Sequence, residues 1–374
     1  MRLRRLIPLL FAFTSLAAAG QPRAKNVILF IGDAGGLSTL HAASVYAHGD
    51  SQRLFIQRMP HIGLSDTSTA SQWVSDSAAG MSAIVTGQKT QNGVLSQSAS
   101  AVPGRQDGEW LKTILEEAEE RGLSTGIVTN MSVTDATPAA CFAHVNARSS
   151  AREIVNQLLS PRYGDGVDAL IGAPPALKGD TEGALAAEAR TRLEAAGYTW
   201  LPDLVTPPAK NTRRVAAFFA GGNFELQQAL DVVVPLLRRN SRGYFLMVEW
   251  DMHTNRLEQG LKRVAAMDAA VERLAATAGR ETLLLFTADH SYDLRMRGGR
   301  KGEPIVEATP PAEAQASNGA TPRAPLVRVD DGHTGEQVLI AAQGPGSEAV
   351  RGFMLNTDVY RVLRAAYGWD RKKK

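Results

Sequence analysis

The stretch NVILFIGD, residues 26–33, indicates the fold class of this 374-residue chain. It is a short apolar run without polar alternation, which is typical of a parallel strand buried on both faces, and it ends in an acid. Similar runs recur at residues 125–128, 169–171, 215–219, 244–248, 282–286 and 338–341. We therefore expect a series of buried parallel strands.

Helical patterns lie between these runs. Apolar residues at helical spacing form one stripe over residues 111–118, which ends before Gly122, and another over residues 257–274, which ends before Gly279. Alternation of strand and helix predicts a doubly wound α/β fold, with a largely parallel central sheet flanked by helices. Ligands of such sheets bind at the carboxyl ends of the strands.

The N-terminal residues predict export from the cytoplasm. The basic start MRLRR precedes an apolar run at residues 6–16 and three alanines at residues 17–19, which is the pattern of a secretory signal peptide over residues 1–20. An uncleaved membrane anchor is the alternative, but the apolar run is short for a bilayer span. We expect a periplasmic or secreted protein with no membrane attachment after cleavage.

Residues 21–374 are predicted to form a single domain, because no linker or internal repeat is apparent. Within it, residues 302–331 are rich in Pro, Ala, Thr and Glu and predict a surface loop, and the chain ends in a short basic tail. The net charge of +3 lies partly in the two basic ends, so no nucleic-acid-binding surface is expected. The single cysteine, Cys141, excludes an intrachain disulfide and is predicted to pack as a small apolar residue.

Acids and histidines gather where the apolar runs end or begin. The set comprises Asp33, Glu249, Asp251, His253, Asp289, His290 and His333. Carboxylates packed together repel one another and raise one another's pKa unless cations lie between them. Four carboxylates and three imidazoles suit two zinc-like ions beside a harder, oxygen-bound ion such as magnesium. For any one of these acids taken alone, a helix cap or a turn is the alternative role.

The candidate nucleophile is Ser77, in the segment DSAAGMSAIVTG at residues 76–87, whose small residues predict a helix. The first turn of a helix favours an anion through its free amide donors and its dipole. An ordinary helix cap is the alternative role of this serine. Because no glycine-serine-glycine elbow and no Ser-His-Asp arrangement is apparent, activation of Ser77 would depend on metal.

Six segments resemble the alkaline phosphatases and follow one another in that family's order. They are NVILFIGDAGG (26–36), VSDSAAGMSAIVTG (74–87), VTDATPAACFAHVNAR (133–148), FLMVE (245–249), TADH (287–290) and HTGEQVLIAAQGPG (333–346). Short pieces such as DSAAG or HTG alone are common by chance. Six in the same order indicate a common origin.

The resemblance implies an enzyme that hydrolyses phosphate monoesters through a phosphoserine on Ser77, with two zinc ions and one magnesium ion. Asp33 would bridge a zinc and the magnesium, and Asp289 and His290 would complete that zinc. Arg148 would bind two phosphate oxygens at once, which lysine does less well. Taken alone, Arg148 could equally be a surface charge.

The magnesium site implied by the resemblance contains Asp33, Thr137 and Glu249. Asp135 would lie just outside it, in contact with the groups around the ion. Thr137 precedes a proline, so a turn is its alternative role.

His333, with Asp251 and His253, would bind the other zinc. The family commonly spaces the glutamate, aspartate and histidine of this segment more widely than Glu249-x-Asp251-x-His253 does. Two interpretations follow: either one of the pair contacts a metal ligand instead of the metal, or a shorter loop reaches the same positions. The short connection from His290 to His333 leaves little room for an inserted crown domain, so we expect an open active site.

Two other functions are compatible with part of the pattern. A phosphodiesterase or sulfatase of the same superfamily shares the two-metal core but usually lacks Arg148 and the magnesium ligands. An inactive relative that binds phosphate or metal would not need Ser77. The expected partners are therefore small phosphate monoesters and inorganic phosphate, and a homodimer is left open.

Overall fold

The computed structural model describes residues 23–176, 183–306 and 326–370. The predicted signal peptide and the basic tail lie outside the described residues. The central sheet has ten strands in the order β12-β2-β11-β8-β1-β7-β3-β4-β6-β5, and a separate hairpin pairs β9 with β10. The strands are β1 (Asn26–Asp33), β2 (His61–Asp66), β3 (Ser124–Ser132), β4 (Ala169–Ala173), β5 (Thr199–Trp200), β6 (Val215–Phe218), β7 (Tyr244–Asp251), β8 (Thr282–Thr287), β9 (Ser291–Met296), β10 (Val327–Thr334), β11 (Val338–Gln343) and β12 (Gly352–Leu355).

Helices cover both faces of this sheet, as the doubly wound prediction requires. They are α1 (Leu37–His48), α2 (Ser77–Thr86), α3 (Ile114–Glu120), α4 (Ala136–Ala139), α5 (Ala151–Leu159), α6 (Ala184–Ala195), α7 (Leu226–Leu237), α8 (Leu257–Thr277) and α9 (Asn356–Tyr367). Helices α1, α7 and α8 pack with one face. Helices α2, α3 and α9 pack with the other. The two predicted helical stripes correspond to α3 and α8.

Burial on both faces explains why the strand runs are continuously apolar. In β1, Ile28 and Phe30 belong to one core, whereas Val27, Leu29 and Ile31 belong to the other. Successive side chains of a strand point to opposite faces, so both sets must be apolar. All seven runs form strands, and the largely parallel sheet is confirmed.

The prediction of a parallel strand at residues 338–341 is wrong, because β11 pairs antiparallel with both β8 and β2. The hairpin β9–β10 is the reason. This hairpin follows the carboxyl end of β8, and its second strand brings the chain back to that same end. Strand β11 therefore begins where β8 ends and runs in the opposite direction. The connection from His290 to His333 contains this hairpin, and its residues 307–325 lie outside the described part.

The predicted surface loop at residues 302–331 is wrong at its C-terminal end. Residues 327–331 belong to β10, which pairs with β9. Their acids and glycine are unusual in a strand, but a two-stranded hairpin exposes them to solvent. Among the described residues, no helix has the length and hydropathy needed to cross a membrane.

Candidate metal centre

One edge of the sheet collects the predicted acids and histidines. Asp33 ends β1 directly opposite Asp251 of β7, and Asp289 follows β8, the other neighbour of β1. Since β11 runs antiparallel, its amino end lies at this same edge, and the preceding residues carry His333 there. This explains why His333 comes before β11 in the sequence, whereas the acids lie at or after the carboxyl ends of β1, β7 and β8.

Ser77 lies against one group of potential ligands. Its hydroxyl oxygen is 3.2 Å from His290 Nε2, which in turn lies 3.4 Å from Asp33 Oδ1 and 3.4 Å from Asp289 Oδ2. The ligand atoms of Asp33, Asp289 and His290 all lie within 4.8 Å of one another. The structure therefore brings the candidate nucleophile and three predicted ligands together.

Helix α2 presents Ser77 to this group. Asp76, and not Ser77, is the N-cap residue, because its Oδ1 accepts a hydrogen bond of 3.0 Å from the Ala79 amide. Gly80 allows the close approach: a Cβ added there would lie 2.4 Å from the Asp289 carbonyl oxygen. The cap interpretation of Ser77 is therefore wrong, and its hydroxyl contacts His290 Nε2 instead.

Unpartnered oxygens mark the centre as a place for cations. Among the residues that the structure describes, Asp33 Oδ1 and Asp289 Oδ2 are buried without a hydrogen bond. Burial raises the pKa of Asp33 well above its ordinary value, and the charges of Asp289 and Glu249 raise it further. Burial also raises the pKa of Glu249, with Asp135 adding to the effect. Carboxylates that lack donors fit a site that binds cations.

Two of the three predicted magnesium ligands, Thr137 and Glu249, are neighbours beside β3. Glu249 lies opposite Ile31 on one side and Thr129 on the other, and the Thr129 hydroxyl donates to its carboxylate. Thr137, in α4, lies next to Glu249 and is buried. A turn position for Thr137 is therefore wrong, because the residue lies inside a short helix.

Arg148 lies between two carboxylates near Ser77. Its guanidinium contacts Asp76 at 3.2 Å and Asp135 at 2.8 Å, and one third of the side chain is exposed (33%). Burial lowers the pKa of Arg148, but the charges of Asp135 and Asp76 outweigh it and raise the pKa. The two carboxylates therefore fix the orientation of the guanidinium.

The three histidines lie together. The rings of His290 and His333 stack at 3.7 Å, and the ring of His253 lies 5.8 Å from that of His333. The ligand atoms of Asp33, Asp251 and His253 form a second group within 4.8 Å. The structure thus groups His253 with Asp33 and Asp251, and places His333 against His290.

Asp251 differs from the other acids in its contacts. It lies 2.8 Å from His253 Nδ1 and pairs with the Arg263 guanidinium. Burial raises the pKa of Asp251, but the hydrogen bonds from His253 and the charge of Arg263 outweigh it, so the pKa is lowered. Sequence reasoning missed Arg263, because a cation on a helix has no signal that distinguishes it from a solvated surface residue.

The predicted packing role of Cys141 is confirmed. The residue is fully buried, and burial raises the pKa of its thiol. It lies between Thr137 and Arg148 in the sequence, and its sulfur is 3.9 Å from the Thr137 carbonyl oxygen. A buried thiol with a raised pKa is chemically inert.

The sequence of this chain is similar to those of known alkaline phosphatases. A sequence profile of the family described as alkaline phosphatase matches residues 24–172 and 222–320. Alkaline phosphatase 4 of Bacillus subtilis is 27% identical over 91% of this chain and 89% of its own. The alkaline phosphatase of Escherichia fergusonii is 29% identical over 94% of this chain and 88% of its own.

Structural comparison gives the same fold. The solved alkaline phosphatase of the Antarctic bacterium TAB5 superposes with a TM-score of 0.75 at 21% identity, over 94% of this chain and 100% of that one. A variant of that enzyme has magnesium bound in a site called M3.

Proposed function

This chain belongs to the alkaline phosphatase family of phosphatases, and we propose that it hydrolyses phosphate monoesters through a phosphoserine on Ser77. The position of Ser77 carries the proposal. Its hydroxyl lies at the N-terminus of α2, 3.2 Å from His290 Nε2 and beside the unpartnered oxygens of Asp33 and Asp289. A nucleophilic oxygen beside ligands for cations is what metal-assisted phosphoryl transfer requires.

The donor set supports two zinc ions and one magnesium ion. We propose Asp33, Asp289 and His290 around one zinc, and His253 and His333, with Asp251 beside them, around the other. Asp33, Thr137 and Glu249 would hold the magnesium. The solved variant of the Antarctic relative also has magnesium bound, in its M3 site. When bound, the cations would stabilise the negative charge that develops on oxygen during the transfer.

The protein's own groups define the chemical steps. Ser77 Oγ gives up its proton and attacks the phosphorus as the bond to the ester oxygen breaks, and the departing alkoxide takes up a proton and leaves as the alcohol. The free amides of the first turn of α2 favour the negative charge on oxygen. Water then attacks the phosphoserine, which releases inorganic phosphate and restores the serine. Because nothing in these steps requires a particular alcohol, we propose broad specificity for small monoesters.

Arg148 supports a monoester over a diester substrate. Two of its five N–H groups face Asp76 and Asp135, which leaves others for phosphate oxygens. A monoester presents three unesterified oxygens and more charge than a diester, so a fixed guanidinium favours it. Comparing kcat/KM for a monoester and a diester of the same alcohol tests this point, and a preference for the diester would contradict it.

Replacement of Ser77 tests the function directly. We expect Ser77→Ala to retain metal content and thermal stability and to lose at least about 10³-fold in kcat. Wild-type protein incubated with a radiolabelled monoester and quenched in acid should carry the label on the Ser77 peptide. Ser82→Ala is the matched control, because Ser82 lies in the same helix but bonds only to neighbouring backbone. Near-normal turnover of Ser77→Ala would remove Ser77 from its role.

We also propose that residues 1–20 are a signal peptide and that residues 21–374 form one domain outside the cytoplasm. The basic and apolar pattern of the N-terminus supports export. Sequencing the N-terminus of the protein isolated from its native host tests the cleavage. A retained Met1 would contradict it.

A further inference from the structure

We infer that Asp251 acts on the metal centre through His253, as the carboxylate that orients the imidazole, and is not itself a metal ligand. The inference rests on the metal centre proposed above and deepens it. It chooses between the two interpretations that the short Glu249-x-Asp251-x-His253 spacing leaves open.

Both oxygens of Asp251 are already engaged by the protein. Oδ1 accepts from the His253 backbone amide at 2.9 Å and faces His253 Nδ1 at 2.8 Å, and Oδ2 pairs with the Arg263 guanidinium. Asp33 and Asp289 each keep a buried oxygen without a partner. Asp289 Oδ1 accepts from the backbone amides of Ala34 and His290, so only its other oxygen lacks a donor. The cluster therefore contains two acids with one unpartnered oxygen each and one acid, Asp251, with both oxygens engaged.

The three histidines share one arrangement of their ring nitrogens. His290 Nδ1 lies 3.1 Å from the Ser291 carbonyl oxygen, and His333 Nδ1 lies 3.0 Å from the Ser75 carbonyl oxygen. A carbonyl oxygen can only accept, so Nδ1 carries the proton in both rings and Nε2 keeps its lone pair. His290 Nε2 is the atom that faces Asp33 and Asp289.

His253 repeats this arrangement with a carboxylate in place of a carbonyl. Its Nδ1 lies 2.8 Å from Asp251 Oδ1 and 3.9 Å from Asp33 Oδ2, and donation to the nearer carboxylate leaves Nε2 as the ligand atom. Metal-binding histidines usually donate their second N–H to such an acceptor, which fixes the ring and increases its basicity.

Arg263 supports the same assignment. Its guanidinium, held on α8, contacts Asp251 Oδ2, and the carboxylate is 13% exposed. A divalent ion bound directly to Asp251 would lie beside this permanent positive charge and be repelled by it. The short spacing explains why Asp251 contacts His253, because an acid two residues before a histidine reaches both the backbone amide and the ring of that histidine.

Metal binding by variants tests the inference without relying on activity. We expect Asp251→Asn to retain the wild-type zinc content, with the affinity of one site weakened about 10- to 100-fold in competition with a chromophoric chelator. His253→Ala should lose one equivalent of zinc. Asp231→Asn is the matched control, because Asp231 pairs with Arg273 of the same helix α8 on the surface, and its affinities should equal those of wild type.

The ring nitrogens of His253 give a second, independent measurement. In zinc-loaded wild-type protein with ¹⁵N-labelled histidine, NMR should show a protonated Nδ1 and a metal-bound Nε2 for His253. Loss of one zinc equivalent in Asp251→Asn, or a protonated Nε2 in His253, would overturn the inference and leave the proposed function intact. Wild-type protein that binds no zinc would overturn both. If Asp251→Asn does not fold, the NMR measurement on wild type decides.

Discussion

Buried acids lie at the carboxyl edge of the central sheet, where its parallel strands end, and at the amino edge, where those strands begin. The oxygens of these acids have different partners at the two places. At the carboxyl edge, Asp33 and Asp289 keep oxygens without donors. At the amino edge, Glu119 accepts from the Thr125 hydroxyl at 2.5 Å and from the Gly166 amide at 3.1 Å. Burial raises the pKa of Asp33 and of Glu119 alike.

The difference shows that burial of acids does not by itself predict a metal site. Among the described residues, each group of acids and histidines with metal-ligand spacing contains Asp33, and Glu119 belongs to no such group. What distinguishes the carboxyl edge, among the described residues, is that Asp33 and Asp289 each have one buried oxygen without a donor, which leaves negative charge for a cation to compensate.

Of two paired substitutions, only the one at the carboxyl edge should lower activity. Asp33→Asn should lower kcat/KM by about 10³-fold or more, because bound metal supplies several kcal/mol of transition-state stabilisation. Glu119→Gln should leave kcat/KM within about twofold of wild type, because it lies at the far edge. Steady-state kinetics on a generic monoester measures both, and equal losses would contradict the distinction.

Stability should depend on pH through Glu119. Burial raises its pKa from 4.5 to about 7, so the folded protein retains a proton that the unfolded chain releases. The contribution of Glu119 to stability is therefore full below pH 4.5 and falls as pH rises through about 7, by about 3 kcal/mol in total.

Glu119→Gln should remove that dependence, because a neutral amide has no proton to lose. Urea unfolding of wild type and variant at pH 5 and pH 8 measures the effect. We expect the variant to gain relative to wild type at pH 8. An unchanged difference between the two proteins at the two pH values would contradict the raised pKa.

Zinc should stabilise the folded protein through ligands at the carboxyl edge only. At a free zinc concentration 100 times Kd, each site should add about 2.7 kcal/mol to the free energy of unfolding. Asp33→Asn should lose most of this gain, and Glu119→Gln should retain it. Thermal unfolding with zinc and with a chelator measures the difference, and an equal zinc effect in both variants would place the metal elsewhere.

The smallest effect is expected from a comparison of two arginines. Arg148 contacts Asp76 and Asp135 at the carboxyl edge, and Arg214 contacts Asp165 and Asp168 at the amino edge. Arg148→Ala should weaken inhibition by inorganic phosphate about 10- to 100-fold, because a charge-assisted hydrogen bond contributes about 1.5–3 kcal/mol. Arg214→Ala should leave inhibition unchanged, and equal effects would exclude a phosphate-binding role for Arg148.

The strands were predictable where they are buried on both faces. The apolar runs of β1, β7 and β8 allow few alternatives, because a continuous apolar segment of that length must lie inside the sheet. Strands β2 and β12 were missed because β12 is the outermost strand of the sheet and β2 lies next to it. Both are partly exposed, so their residues form no continuous apolar pattern. The direction of β11 depends on pairing with β8 and β2, which are distant in sequence.

The candidate site was predictable for a similar reason. Parallel strands place their carboxyl ends at one edge, so acids that follow separate strands must come together. Arg263 was not predictable, because it reaches Asp251 from a helix and its role depends on that contact alone.

By itself, the sequence determined which chemical groups stand at the ends of the strands and in what order. Local patterns hold that information, because a strand end is set by where the apolar run stops. The tertiary structure decided which of those groups lack a partner. Hydrogen bonds form across the fold, so only packing shows that Asp33 keeps a free oxygen whereas Asp251 has both of its oxygens engaged.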